Sequence, residues 1–462
     1  MSDELVTAFQ SVVGRNNVFI SPEERERYSR DEMPNPRPAM PEIVVVPGCT
    51  KEVASIMRLA AVNRIPVTPR GGGTGLSGGC VPLFGGIVLS LEKMNHIIEI
   101  DEANQTSRVE AGVTLGDFQE AVAGHGLNYP VYPGENSATL GGNVATNAGG
   151  MMAVKYGVTR HFVLGVEAVM SDGRIIITGG KFVKNTTGYD LTQLLVGSEG
   201  TLGIITNITL RLGLPPKIKE ILYIPFPDLE TAIEAVPDIL KCGITPVGIE
   251  FMEKNIIQIV EKYTGRQIPF HEHEAFLMVL VEGNLESEVL QAIEKIAESV
   301  RSHDAIDVFI PSGEKARKEL LDSREKFYQA IKKLGPIELA DVVVPRNLIA
   351  RFLKEVKSLG RMHGIDIVAY GHAGDGNVHL HPIGKGLSRD EWENKLPVLM
   401  SDIYKAGLKL GGTISGEHGI GFDKMKYFNK FMHSGALETM FTIKKALDPE
   451  GILNPGKLFD IP

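Results

Sequence analysis

The chain has 462 residues, a net charge of −9 and 43% hydrophobic residues. These values are typical of a folded protein of two or three domains and exclude a disordered chain. The negative charge argues against nucleic acid as the main ligand, because phosphate backbones attract basic surfaces. No apolar run reaches the ~18 residues of a membrane-spanning helix, so none is predicted. The opening residues, MSDELVTAFQ, lack the basic and apolar regions of a signal peptide, and a cytoplasmic location is therefore expected.

The cysteines and glycines give the first indication of chemistry. Cys49, Cys80 and Cys242 lie far apart and form no CxxC pair. This excludes a four-cysteine iron–sulfur or zinc site in the chain and offers no disulfide framework. Any redox chemistry therefore needs an organic cofactor, and the electrons must leave through a partner. The 51 glycines are about 11% of the chain against a usual ~7%, and they are clustered.

The first half of the chain has α/β character. Residues 1–40 are polar and predict a helix followed by an extended arm. EIVVVPG then predicts a strand, the next residues predict a helix with Thr50 as its N-cap, and IPVTPR predicts a second strand. Strand, helix and strand form a βαβ unit. Three more strands, a helix near Leu115–His125 and a hairpin that turns at Asp172-Gly173 follow.

The composition changes near Leu214-Pro215-Pro216. Beyond it, strands alternate with helices, including Leu229–Cys242 and Glu286–His303, without glycine-rich loops. The last part of the chain is glycine-rich again and is expected to return to the first domain. The sequence thus predicts a first domain over 1–217, an α+β second domain over 218–410 and a C-terminal segment over 411–462.

The glycine clusters form three loops. PRGGGTGLSGG, residues 69–79, has six glycines directly after a predicted strand, where backbone N–H groups can approach phosphate oxygens. A Rossmann fingerprint fails because a strand follows instead of a helix, and a P-loop fails because no GK[ST] follows. A glycine-rich turn without a ligand is the alternative. PGENSATLGGNVATNAGG (133–150) and GYDLTQLLVGSEGTLGIIT (188–206) add two more loops, and the three together predict one large, elongated cofactor.

These motifs resemble the FAD-binding domain of the vanillyl-alcohol-oxidase, or p-cresol methylhydroxylase (PCMH)-type, flavoprotein superfamily. With the C-terminal motifs SGEHGIG and ILNPGKLF, the chain resembles the branch of the glycolate oxidase FAD-linked subunit and D-lactate dehydrogenase. The resemblance extends from about residue 20 to Phe459. It implies an α+β fold with a two-subdomain PCMH-type FAD-binding domain. It also implies a substrate (cap) domain with an antiparallel sheet flanked by helices, and a C-terminal segment that completes the FAD domain and the active site.

The resemblance implies which residues bind FAD. The pyrophosphate is assigned to the first loop, formed by Arg70, Gly71, Gly72, Gly73, Thr74, Gly75, Leu76, Ser77, Gly78 and Gly79. The remaining contacts are assigned to Pro133, Gly134, Ser137, Thr139, Gly142, Ala145, Thr146, Gly149, Glu199, Gly203, Ile205 and Asn454. Relatives that attach flavin covalently through the first loop have a histidine where this chain has Thr74, so non-covalent FAD is expected.

A histidine cluster in the second half suggests a metal site. IDIVAYGHAGDGNVHLHPI predicts a hairpin in which His372 and His379 face each other near the turn, with His379 and His381 on one strand face. Converging imidazoles suit a divalent metal. Glu417 and His418 of SGEHGIG could add an oxygen ligand and a base. The alternative is that these histidines are ordinary structural or surface residues.

The resemblance implies roles for these residues. The metal ligands are His372, His379 and Glu417, the metal is Zn²⁺, Fe²⁺ or Mn²⁺, and the general base is His418. Arg324 matches an arginine that binds the substrate carboxylate, and its alternative is a solvated charge on a Glu/Lys-rich helix. In the implied reaction the metal acidifies the substrate hydroxyl, His418 takes its proton and the C2 hydride moves to flavin N5.

The substrate and the electron acceptor are constrained less directly. Relatives that act on D-2-hydroxyglutarate have lysine where this chain has Leu339 and asparagine where it has His381. A distal carboxylate would lack partners here, so a short acid, D-lactate or glycolate, is expected. The electrons would pass to an electron-transfer flavoprotein, an iron–sulfur subunit or a quinone. The alternatives are an oxygen-using oxidase, a non-catalytic FAD relay subunit and a metal-dependent hydrolase.

Overall fold

The computed structural model describes residues 1–459 and divides into two compact units. The first unit comprises 1–149, 158–215 and the chain from 417 onward, and the second comprises 150–157 and 216–416. These bounds differ from the segments 1–217, 218–410 and 411–462 because of side-chain contacts. Lys155 and Tyr156 both bind Glu282, which keeps 150–157 in the second unit. Asp341 accepts hydrogen bonds from Ser415 Oγ and Gly416 N, which keeps the chain up to 416 there.

The first sheet of the first unit contains the βαβ unit. Its order is β1-β2-β4-β3, with β2, β4 and β3 parallel and β1 antiparallel to β2. The strands are β1 (Val18–Phe19), β2 (Ile43–Val45), β3 (Val67–Arg70) and β4 (Ile87–Ser90). The first glycine loop leaves from the end of β3, so the sheet fixes the point at which that loop begins.

The second sheet of the first unit is antiparallel, with the order β5-β6-β9-β7-β8. Its strands are β5 (Ile97–Asp101), β6 (Thr106–Glu110), β7 (Val163–Val169), β8 (Ile175–Gly179) and β9 (Ile204–Arg211). The hairpin predicted at Asp172-Gly173 joins β7 to β8 and is confirmed. The third glycine loop leads into β9, the central strand of this sheet.

The helices of the first unit pack around these sheets. They are Asp3–Val13, Pro22–Glu26, Thr50–Val62, Leu115–Gly124, Leu140–Thr146, Leu191–Leu195, Met425–Phe431 and Ser434–Leu447, with 3-10 turns at Arg15–Asn17 and Thr159–His161. The main core joins the first sheet to its helices, and Ile452 and Leu453 from the C-terminal segment lie in it. Burial of these two residues ties the end of the chain to the first unit.

The N-cap prediction for Thr50 is wrong. Cys49 occupies the N-cap and Thr50 is the first helical residue. The Thr50 hydroxyl donates instead to Thr206 Oγ1 at 3.0 Å, which joins the helix to β9. Glu52 satisfies a backbone donor at the helix start by accepting from Gly48 N at 2.7 Å.

The second unit is an antiparallel sheet flanked by helices, as expected. Its order is β10-β12-β11-β14-β15-β13, and its strands are β10 (Ile218–Phe226), β11 (Gly248–Glu253), β12 (Ala275–Gly283), β13 (Ala340–Val343), β14 (Asp366–His372) and β15 (Asn377–Ile383). The helices are Ala153–Tyr156, Leu229–Ile239, Lys254–Thr264, Glu286–Arg301, Gly313–Glu325, Phe327–Lys332, Ile349–His363 and Arg389–Lys409, with a 3-10 turn at Arg346–Leu348. The α+β fold class is therefore confirmed. Among the described residues, no helix is both long and apolar enough to cross a bilayer.

Candidate cofactor and metal sites

A cleft in the first unit follows the first glycine loop. It is open to solvent and spans about 960 Å³, with solvent-open space included. Most of the predicted FAD residues line it: Arg70, Gly71, Gly72, Gly73, Thr74, Gly75, Ser77, Gly79, Thr139, Gly142, Ala145, Thr146, Glu199, Gly203 and Ile205. His418 lines the same cleft. The three glycine loops, far apart in the sequence, therefore meet around one space.

The other predicted FAD residues are not part of the wall of this cleft. Within residues 1–459, the wall of the cleft does not include Leu76, Gly78, Pro133, Gly134, Ser137, Gly149 or Asn454. Ser137 lines an adjoining cavity. Asn454 Nδ2 donates to the carbonyls of Gly79 and Glu199 at 2.9 and 2.7 Å. Asn454 therefore links the first and third glycine loops through these hydrogen bonds.

The glycines of the first loop are required by its close contact with the second loop. A Cβ on Gly71 would lie 2.2 Å from Thr139 Oγ1, and one on Gly72 would lie 2.9 Å from the Ser137 carbonyl. Thr139 is itself fixed, because it caps the helix Leu140–Thr146 and accepts from Gly142 N at 3.2 Å. At these two glycines the loop presents only backbone, which suits the approach of a phosphate-bearing ligand.

The adjoining cavity extends the cleft in a second direction. It has about 810 Å³ of empty space, and its wall includes Tyr28 and Glu92. Arg70, Gly71 and Thr139 line both this cavity and the main cleft. An elongated ligand with a central anionic group fits two spaces that meet at a glycine loop. FAD, with its pyrophosphate between two ring systems, has that form.

His418 is held at the main cleft by its backbone. Ser77 Oγ donates to the His418 carbonyl at 3.0 Å. The Glu199 carboxylate accepts from Ile420 N at 2.8 Å and from Gly421 N at 2.7 Å. Burial raises the pKa of Glu199, although these amides and nearby lysines oppose the rise. The first and third glycine loops therefore position the segment that carries the predicted base.

Glu417 and His418 begin the last segment of the first unit. Glu417 Oε1 lies 3.7 Å from His418 Nε2. A Cβ on Gly149 would lie 2.8 Å from Glu417 Oε2. Gly149, predicted as an FAD residue, therefore leaves room for the Glu417 side chain.

The three strand histidines of the second unit, His372, His379 and His381, lie on one buried face of its sheet. Strand pairing places Glu250 beside His372, and both Tyr370 and Asp341 beside His379. The Nε2 atoms of His372 and His379 are 3.3 Å apart. The predicted hairpin and the convergence of these two imidazoles are therefore confirmed.

The other nitrogen of each imidazole faces a carboxylate, within hydrogen-bond distance for His372 and slightly beyond it for His379. Glu250 Oε1 lies 2.5 Å from His372 Nδ1, and Asp341 Oδ1 lies 3.6 Å from His379 Nδ1. Metal-binding histidines commonly have such a carboxylate, which fixes the ring and its tautomer. Two nitrogen ligands at ~2.05 Å from a tetrahedral metal are about 3.3 Å apart. The spacing and the donor set fit a divalent transition metal.

Arg324 is buried and binds Glu250. Its Nε and Nη2 donate to Glu250 Oε2 at 2.9 and 2.5 Å, and its guanidinium lies 4.6 Å from the centre of the Tyr370 ring. Only 8% of Arg324 is exposed, which excludes the solvated-helix interpretation. Burial alone would raise the pKa of Glu250. The interactions with His372 and Arg324 outweigh this effect and hold the pKa below its usual value.

Sequence reasoning missed Glu250. It lies in GIEFME, a strand in which every residue is buried. An acidic residue in the middle of a buried, mainly apolar strand was the available signal, because a buried carboxylate needs a partner. The strand register that brings Glu250 beside His372 pairs residues 122 positions apart. No local sequence motif could therefore predict this contact.

Comparison with known families agrees with this architecture. The description "FAD linked oxidases, C-terminal domain" matches residues 215–458, and "FAD binding domain" matches residues 41–179. The chain belongs to the FAD-linked oxidase family. It is accordingly an FAD-linked oxidoreductase, and the predicted family is confirmed.

Two members of the FAD-linked oxidase family resemble this chain over nearly its full length. A D-lactate dehydrogenase of Archaeoglobus fulgidus is 43% identical over 94% of this chain and 95% of its own. A glycolate oxidase subunit of Bacillus subtilis is 38% identical over 97% of this chain and 95% of its own. A solved structure of p-cresol methylhydroxylase with substrate bound has a TM-score of 0.80 at 16% identity, covering 99% of this chain and 97% of the other. The last comparison shows the fold alone, which is the predicted PCMH-type fold.

Proposed function

We propose that this protein oxidises a short 2-hydroxy acid, D-lactate or glycolate, to the 2-oxo acid with non-covalent FAD and a bound Zn²⁺, Fe²⁺ or Mn²⁺. The observation that carries the proposal is the pair of buried imidazoles whose Nε2 atoms are 3.3 Å apart. An FAD protein that only relays electrons has no need of this pair. The names of the two relatives support the substrate class.

The roles of the residues follow from their chemistry. His372 and His379 would hold the metal, with Glu417 as the predicted third ligand, and the bound cation would lower the pKa of the substrate hydroxyl. His418 would accept the hydroxyl proton. FAD, when bound in the cleft of the first unit, would supply the hydride acceptor. Thr74 offers no imidazole for a covalent flavin bond, so the cofactor would be held by contacts alone.

Arg324 remains the proposed anchor for the substrate carboxylate. A guanidinium has five N–H donors in a planar fork, and the bonds to Glu250 use only its Nε and Nη2 nitrogens. Leu339 is buried and apolar. His381 stacks on Tyr370 and lies within hydrogen-bond distance of its hydroxyl, at 3.2 Å. Neither position offers a cation for a second carboxylate, which favours a monocarboxylic substrate.

The electrons would leave through a partner. The three cysteines are too few for a four-cysteine cluster, so the proposed acceptor is an electron-transfer flavoprotein, an iron–sulfur subunit or a quinone. Hydrogen peroxide formed in step with substrate oxidation would instead identify an oxygen-using oxidase.

A metal-restoration experiment tests the proposal. The purified protein is treated with a chelator, and anaerobic flavin reduction by D-lactate is measured before and after addition of Zn²⁺, Fe²⁺ or Mn²⁺. We expect reduction to be lost and then restored by at least one cation. His379→Ala should abolish restoration, whereas His433→Ala, at an exposed histidine elsewhere, should not. Unchanged reduction after complete metal removal would contradict the proposal.

A further inference from the structure

The N-terminal segment 27–33 is bonded to the first glycine loop. Arg70 donates to the Arg30 carbonyl at 2.8 Å and to the Arg27 carbonyl at 3.2 Å. Glu32 N donates to the Gly75 carbonyl at 3.0 Å. No sequence motif predicts that this polar arm joins the cofactor cleft, but these bonds show that it supports the loop.

Asp31 is the member of this segment that reaches the main cleft. It is 7% exposed, and its Oδ1 accepts from Met33 N at 3.2 Å. Its Oδ2 forms no hydrogen bond of normal geometry with any described residue. Because a buried carboxylate oxygen without a donor is costly, such atoms usually meet a ligand or water. A Cβ on Gly75 would lie 3.5 Å from Oδ2.

The hydrogen bonds of the charged neighbours of Asp31 go to other groups. Arg70 donates to two carbonyls and to Cys80 Sγ at 3.2 Å. Lys457 Nζ donates to the Val81 carbonyl at 2.7 Å. Burial raises the pKa of Cys80 to about 11, which keeps this thiol neutral. The Gly78 amide also acts on the Asp31 carboxylate and lowers its pKa, but Oδ2 has no hydrogen bond of normal geometry with a described residue and is available to an incoming donor.

We propose that Asp31 is a cofactor-binding residue whose Oδ2 accepts a hydrogen bond from the flavin half of FAD, either a ring N–H or a ribityl hydroxyl. The flavin half is favoured because Asp31 and the predicted base His418 line the same cleft. The adjoining cavity, whose wall includes Tyr28 and Glu92, does not include Asp31. The inference rests on FAD as the cofactor but needs neither the proposed substrate nor the proposed metal.

The contact predicts a pH dependence of FAD binding. Burial raises the pKa of Asp31 to about 6, although the nearby Arg70 charge and backbone amides oppose the rise. A donor from FAD stabilises the ionised carboxylate and lowers this pKa on binding. Protonation of the free protein then competes with binding. The affinity for FAD should therefore rise as the pH increases through about 6 and level off above it.

The test is titration of the full-length apoprotein with FAD, followed by flavin fluorescence between pH 5 and pH 8. We expect Asp31→Asn to weaken binding by about ten- to a hundredfold at pH 8, the effect of losing a hydrogen bond to a charged group, and to flatten the dependence near pH 6. Glu26→Gln removes an exposed carboxylate from the same N-terminal region and should leave both unchanged. Asp31→Asn that binds FAD like the wild type at pH 8 would overturn the proposal.

Two further measurements keep the test decisive. The inhibition constant of ADP, measured by competition against FAD, should be the same in the wild type and in Asp31→Asn, and a weaker inhibition constant in Asp31→Asn would contradict the assignment to the flavin half. If Asp31→Asn does not fold, as judged by circular dichroism, the pH dependence of the wild type decides. An affinity that stays flat from pH 5 to pH 8 would then overturn the inference. Because no substrate is present, an incorrect substrate assignment would leave these results unchanged.

Discussion

Replacement of Glu250 by glutamine tests the polar cluster of the second unit. Glu250 is fully buried, and its carboxylate binds both Arg324 and His372. Glutamine keeps the shape but removes the charge, which leaves the buried Arg324 cation without its partner. Breaking a buried pair on one side costs about 3–5 kcal/mol. Loss of the carboxylate behind a metal-binding histidine costs about 10–100-fold in metal affinity.

Chemical denaturation and metal titration measure these two effects separately. Glu220→Gln is the matched control, because Glu220 binds Arg317 at 2.9 Å in the same unit with both side chains about one-quarter exposed. An exposed pair of this kind contributes about 0–1 kcal/mol. Glu250→Gln combined with Arg324→Met should recover much of the lost stability, because no unpaired charge remains. Wild-type stability and wild-type metal affinity in Glu250→Gln alone would refute the reasoning.

Substitutions at three other residues, His418, Gly71 and Arg324, test the assigned roles. His418→Ala should abolish flavin reduction by substrate while FAD stays bound, and normal single-turnover reduction would remove His418 from the mechanism. Gly71→Ala should lose FAD from the purified protein, because the new methyl group would lie 2.2 Å from Thr139 Oγ1. Gly124→Ala, with no atom within 4 Å of the added methyl, should retain it. Arg324→Ala should raise KM by about 100-fold or more. Arg324→Lys should recover only part of the lost substrate affinity, because lysine lacks the planar fork of the guanidinium. An unchanged KM in Arg324→Ala would argue against carboxylate binding.

The local features of both sites could be predicted from the sequence. Glycine-rich loops and the hairpin that carries His372 and His379 are contiguous motifs, so their chemistry is visible residue by residue. Contacts set by strand register and by tertiary packing were not visible. Asp341 and Glu250 lie beside the two histidines only because β13 and β11 pair with β15 and β14.

The main errors of the sequence-based predictions concern single polar residues. Thr50 looks like an N-cap because threonine commonly caps helices, but its hydroxyl bonds to Thr206 instead. Asp31 lies in a polar stretch for which only a helix and an extended arm were predicted, yet hydrogen bonds to the glycine loop help to hold that arm. In both cases a distant part of the chain determines the environment of one side chain. A local sequence pattern therefore could not predict that environment.

The most direct test of the proposed function is an anaerobic visible spectrum of the purified protein before and after each candidate substrate. D-lactate, L-lactate, glycolate and D-2-hydroxyglutarate are added separately, and the oxidised flavin band is followed. We expect D-lactate or glycolate to bleach the band, with little effect from L-lactate or D-2-hydroxyglutarate. A metal-loaded flavoprotein that none of the four acids reduces would contradict the account.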